Sequence, residues 1–82
     1  MARETQRFWL TFDAESTCKP LICEMARKFD LVFNIRNASV TPAIGLIALE
    51  LEGERTVIQQ AVAWFESNGV QVEPVEINTI EG

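Results

Sequence analysis

Polar and apolar residues alternate in some stretches of this chain and recur at helical spacing in others. RFWLTF, residues 7–12, puts Phe8, Leu10 and Phe12 on one side and Arg7, Trp9 and Thr11 on the other. That is the period of a half-buried strand. DAEST follows with turn and cap formers. In KPLICEMARKFD the apolar positions change period. Leu21, Ile22, Met25, Ala26 and Phe29 make one helical stripe, Pro20 suits a first turn, and Arg27 and Lys28 suit the negative end of the helix dipole.

Alternation then returns. LVFNIRNA predicts a second strand, with Leu31, Phe33 and Ile35 opposite Val32, Asn34 and Arg36. SVTPAIG reads as a turn. LIALELEG predicts a third strand, with Ile47, Leu49 and Leu51 opposite Leu46, Ala48 and Glu50. The clearest helix is ERTVIQQAVAWFESNG, striped by Val57, Ile58, Ala61, Trp64 and Phe65 and closed by Asn68–Gly69. VQVEPV is a last strand, marked by Pro74 as an edge or an end. The residues after it read as a fraying tail, 77–82.

The order β-α-β-β-α-β, with two helical stripes that one sheet face must cover, predicts an α+β ferredoxin-like sandwich. Its four-stranded antiparallel sheet has strand order 4-1-3-2, with two helices on one face. At 82 residues the chain is one domain, core about 6–76. The other sheet face is left bare. Sorting by alternation places Trp9, Thr11, Val32, Asn34, Arg36, Leu46, Ala48 and Glu50 there. Contiguous exposed apolar area marks an interaction surface, so Trp9, Val32, Leu46 and Ala48 are the expected seam of a homodimer. Asn34 and Arg36 are polar groups set into it.

Composition narrows the chemistry. Seven basic and twelve acidic residues give a net charge of −5, and histidine is absent. Phosphate neutralisation by Lys and Arg is thereby disfavoured, and with it nucleic-acid binding and docking on anionic lipid. Ser–His and Cys–His nucleophile pairs and histidine metal sites cannot be built from one chain. Cys18 and Cys23 stand too far apart for a C-x-x-C loop, and two thiolates leave a zinc or iron–sulfur site incomplete. No metal, no cofactor and no catalytic residue is therefore expected. MARETQRFWL lacks an apolar stretch of signal-sequence length, and no run approaches the ~20 apolar residues of a membrane span. A cytoplasmic protein with free thiols is the expectation.

KPLICEMARKFDLVFNIRNASVT and LIALELEGERTVIQQAVAWFESNGVQVEPV resemble the NIL domain over about residues 6–76. That domain occurs at the C-terminus of methionine-importer ATPases, fused to iron–sulfur ferredoxin modules, and free-standing. The resemblance implies the same ferredoxin-like fold and a regulatory role, in which paired domains bind methionine near their pairing surface. Of the Asn-Ile-Leu motif that names the family, Asn34 and Ile35 carry over, while Arg36 replaces the Leu. The Gly-rich segment that often follows is shortened here to TPAIG. No phosphate-cradling P-loop is present. The resemblance thus implies a non-catalytic homodimeric module that senses a small amino acid-like ligand. Asn34, Ile35 and Arg36 would form the ligand site, Arg36 offering a bidentate carboxylate partner. The other reading is a protein-docking module without a small ligand, serving an iron–sulfur electron carrier or a transporter.

Overall fold

The computed structural model describes residues 3–75; the expected tail at 77–82 lies outside them. Four strands form one antiparallel sheet in the order β2-β3-β1-β4: β1 is Arg3–Phe12, β2 Val32–Val40, β3 Gly45–Glu54 and β4 Gln71–Pro74. Helices α1, Leu21–Lys28, and α2, Arg55–Ser67, complete the sandwich expected from the alternation, with a short 3-10 turn at Ser16–Cys18 before α1.

The core is built by the two central strands and the helices. Phe8, Leu10 and Phe12 of β1 and Ile47, Leu49 and Leu51 of β3 are buried beneath Leu21 and Met25 of α1 and Ile58, Ala61 and Phe65 of α2. Phe29 and Trp64 meet edge to face, their ring centroids 6.2 Å apart, and close the seam between the helices. The end of α2 is locked by two backbone bonds, Gly69 N–H to the Glu66 carbonyl at 3.1 Å and Val70 N–H to the Phe65 carbonyl at 3.1 Å. This closure turns the chain through a left-handed residue, and Gly69 supplies it at φ +86°. Val70 is buried in the same core as Phe65, so the turn that stops the helix also aims β4 at the sheet.

Two strands run further than alternation suggests. β1 begins at Arg3, four residues before RFWLTF, because its charged start pairs with the acidic end of β3 (Arg3 opposite Glu54, Thr5 opposite Glu52). β2 continues through Ser39 and Val40, which were expected in a turn, because each pairs with β3 opposite Leu46 and Gly45. The hairpin is instead closed by Thr41. Its N–H donates to the Ile44 carbonyl at 2.8 Å, and its hydroxyl oxygen accepts from the N–H of Ile44 at 3.2 Å.

A bulge interrupts β2 between Ile35 and Asn37 and reverses its alternation. Ahead of it, Phe33 and Ile35 face the helix side with Leu51 and Leu49; beyond it, Ala38 and Val40 do, opposite Ile47 and Gly45. Phe33 and Ile35 are nevertheless not core residues. All nine residues of β2 are exposed, with Phe33 at 38%, Ile35 at 46% and Val40 at 60%. The sandwich covers three of its strands and leaves the fourth bare on both faces.

Emptying the fully buried Phe65 position by Phe65→Ala is expected to lower the unfolding free energy by about 3–5 kcal/mol in chemical denaturation. Gly53→Ala drives a new methyl into the Leu31 side chain. The same measurement should show a loss of no more than about 1 kcal/mol there, because the end of the half-buried Leu31 side chain can turn aside.

Candidate functional site

Strand register fixes the open face row by row. Trp9 stands between Ala48 and Glu73, and Thr11 between Leu46 and Gln71. Leu46 is further flanked by Ser39, and Arg7 lies across Glu50 from Asn34. The expected apolar seam is therefore split. Trp9, Ala48 and Leu46 adjoin, but Val32 sits beside Glu52, with the row of Arg7, Glu50 and Asn34 in between. Ala48 is only 5% exposed, and Trp9 is half-buried.

That dividing row is an ionic lattice. Arg7 Nη2 donates to Glu50 Oε2 at 3.0 Å. Arg36 Nη1 comes within 4.0 Å of the other oxygen of the same carboxylate. Arg3 and Glu52 add a looser pair at 3.8 Å. Partly exposed pairs of this kind contribute on the order of 0–1 kcal/mol each. Their effect on the site is geometric: one carboxylate on β3 draws an arginine from each neighbouring strand. Asn34 and Arg36 thus share the open face, while Ile35 projects from the opposite face of β2 beside Leu49. The three positions form a strand edge with two different sides.

A concavity lies elsewhere, at the end of the sandwich where the 3-10 turn, the start of α1 and the end of β2 meet. It encloses about 200 Å³. Phe12 and Ile47 belong to the sheet, Leu21 and Ile22 to α1, and Val40 is the β2 residue at its rim. Lys19 and the Cys23 thiol are its cationic and sulfur-bearing neighbours. The volume falls below the roughly 300–1,000 Å³ of drug-sized sites and suits a small, largely apolar ligand. The sequence pattern missed this cleft because its parts lie far apart in the chain. Only the bulge at Arg36 turns Val40 to its side.

The wall formed by Ser16 and Thr17 is held by a reciprocal pair. The Ser16 N–H and hydroxyl donate to Asp13 Oδ1, both at 2.8 Å, and the Asp13 N–H donates to Ser16 Oγ at 3.0 Å. The donation from the Ser16 N–H and hydroxyl holds the Asp13 carboxyl below its ordinary value. Both cysteines are exposed thiols, Cys18 donating weakly to the Ala14 carbonyl at 3.6 Å. Among the described residues no group of three or more Cys, Asp or Glu side chains is placed to hold a metal ion, and no helix is long and apolar enough to cross a membrane.

Comparison with known proteins bears on this geometry. The family model described as NIL domain matches residues 6–74. The chain is 37% identical over 67 residues to methionine import ATP-binding protein MetN 2 of Acinetobacter baylyi. It is 34% identical over 68 residues to methionine import ATP-binding protein MetN of Escherichia coli K12. The aligned stretches make up 77% and 78% of this chain but 20% of each relative, so the chain spans about a fifth of the length of the curated relatives it matches. Among solved structures, the C-terminal domain of an ABC transporter ATP-binding protein from Enterococcus faecalis superposes with a TM-score of 0.75 at 19% identity, covering 85% of this chain and 82% of that one. At that identity the likeness establishes the fold.

Because the folded-state pKa of Asp13 is depressed, its contribution to stability is complete above the ordinary carboxylate value. It fades as pH falls through the folded-state value. Ser16→Ala should move the Asp13 midpoint up toward the ordinary value in a carboxyl NMR titration. It should also shrink the acid-side pH dependence of stability.

Proposed function

We propose that this chain, which belongs to the NIL domain family, is a non-catalytic regulatory module that pairs with a second copy along β2 and senses a small amino acid-like ligand at that seam. The observation that carries the pairing is the bare fourth strand. A central strand is buried by its neighbours, and natural edge strands are guarded by lysines, prolines or short length. β2 is nine residues long, holds one charged residue, Arg36, and no proline, and exposes Phe33, Ile35 and Val40. A single bulge is its only guard. An antiparallel copy satisfies the free backbone groups of the edge and covers those apolar side chains in the same step. The acids behind the net charge of −5 all lie off this strand, so a copy meets no ladder of like charges there.

The relatives named as methionine import ATP-binding proteins support an amino acid-like ligand. So does the chemistry beside the edge. The Asn34 amide can both donate and accept, which suits the amino and carboxylate groups of one small molecule. Arg36 is held only loosely by Glu50, at 4.0 Å, and keeps donors free for a carboxylate. Ile35 adds apolar contact from the other side of the strand. In this reading Val32 joins the seam from β2, while Trp9, Ala48 and Leu46 form a smaller strip on the open face that serves a secondary contact.

In sedimentation analysis the wild type is expected to run as a dimer and Ile35→Glu as a folded monomer with an unchanged circular dichroism spectrum. If both are monomers, pairing along β2 is wrong. A thermal-shift screen of the common amino acids at millimolar concentration should raise the Tm with an aliphatic or thioether member. Occupancy at a hundred times Kd corresponds to about 2.7 kcal/mol of stabilisation. A flat response across the set would instead favour the docking module without a small ligand.

A further inference from the structure

We infer that the cleft at the start of α1 is a binding site of its own, complete in a single chain, for a short branched aliphatic carboxylate that carries no amino group. The inference does not rest on the pairing or the amino acid-like ligand proposed above. Asn34 and Arg36 lie on the open face, whereas Val40 and Gly45 meet the cleft from the helix side of the sheet.

The walls select the tail of the ligand. Phe12, Leu21 and Ile47 are buried and Ile22 is half-buried, so the floor is preformed by the core and presents only carbon. An apolar group that fills such a hollow gains the contacts that close packing supplies elsewhere. At about 30 Å³ for each water-sized group, 200 Å³ holds roughly seven non-hydrogen atoms, the size of a branched five-carbon acid. Nucleotides and long acyl chains do not fit.

The mouth selects the head. Lys19 and the first turn of α1, Leu21 to Cys23, border the cleft. No side chain caps this turn. The Leu21 N–H donates to the Lys19 carbonyl at 2.8 Å and the Glu24 N–H to the Pro20 carbonyl at 2.9 Å. Between them, the N–H groups of Ile22 and Cys23 have no acceptor among the described residues. A carboxylate can accept from both, and Lys19 is the cation of the lining. Nearby acids do not oppose it. Asp13 is engaged by Ser16, and Glu15 and Glu24 are exposed and outside the lining. No acidic side chain lines the cleft, so nothing there recognises an ammonium group, and a free amino acid is disfavoured.

The test titrates the full chain with 3-methylbutanoate and follows backbone amide and methyl NMR signals. Acetate lacks the tail, 3-methylbutan-1-ol lacks the charge, and L-leucine adds the ammonium group. The expected result is millimolar binding of 3-methylbutanoate, with shifts at the Ile22 and Cys23 amides and the Val40 and Ile47 methyls. At those signals the other three compounds should bind at least about fivefold more weakly. Lys19→Gln should weaken 3-methylbutanoate by about two- to fivefold. Ile22→Trp and Cys23→Trp fill the cleft and should abolish the shifts; Cys23 is exposed, so its replacement decides the matter should Ile22→Trp fail to fold. Ile35→Glu should bind as the wild type does. Equal binding of the alcohol would overturn the carboxylate head, and equal binding of L-leucine at those signals would overturn the exclusion of the amino group. Undiminished binding in the folded filled variants, shifts confined to Asn34 and Arg36, or no shift at millimolar concentration would overturn the cleft as the site. Loss of binding in Ile35→Glu would overturn its completeness in one chain.

Discussion

Coverage is the constraint on which the rest of this molecule depends: two helices must hide one face of four strands, and one helix is too short for its share. α1 has eight residues, about 12 Å at the helical rise, and buries only Leu21 and Met25. It cannot shelter a nine-residue strand that is roughly 30 Å long. Its length is set by local chemistry. Pro20 precedes its first residue, and Phe29 is already extended, its ring turned to Trp64. α2, with thirteen residues, packs on β3 and β4. Apolar residues placed on β2 for a core are thereby left at the surface, and the fold acquires an exposed apolar edge.

The same shortfall explains why the two faces of the sheet have different characters. The open face has no layer above it and is knit by charges, with Glu50 shared between Arg7 and Arg36. Such a face is soluble by itself. The helix-side face of β2 has apolar side chains and no layer, which is the less stable arrangement in water. Exposed apolar area costs roughly 25 cal/mol per Å² relative to burial, and a second strand removes that cost together with the unpaired backbone groups. The exposed apolar burden of the sheet thus lies mainly on the edge strand rather than on the face that topology leaves uncovered.

Much of this architecture was legible in the residues. The alternation in RFWLTF and LIALELEG identified the inward faces of β1 and β3, and the stripe from Val57 to Phe65 identified α2. Period-two patterning says which side a residue takes. It is silent on whether anything lies over that side, and so Phe33 and Ile35 read as core. A bulge adds one residue without altering composition, so the reversal at Arg36 left no trace in the pattern. The cleft was invisible for a third reason: it joins Phe12, Ile22, Val40 and Ile47, whose proximity is a property of topology alone. Asn34 and Arg36 were placed correctly on the open face, yet the row they share with Glu50 and Arg7 divides the apolar patch it was expected to belong to.

The extra residue at Arg36 also makes β2 a counted segment. Restore strict alternation with every residue kept, and the far half of the strand turns over: Val40 goes to the charged side of the sheet, and Ser39 comes to the helix side. Composition and net charge would be untouched, but the pairing of Val40 with Gly45 that leads the hairpin into Thr41 would slip by one residue. Val40 reaches the rim of the cleft because the pairing of β2 with β3 absorbs one residue at Arg36.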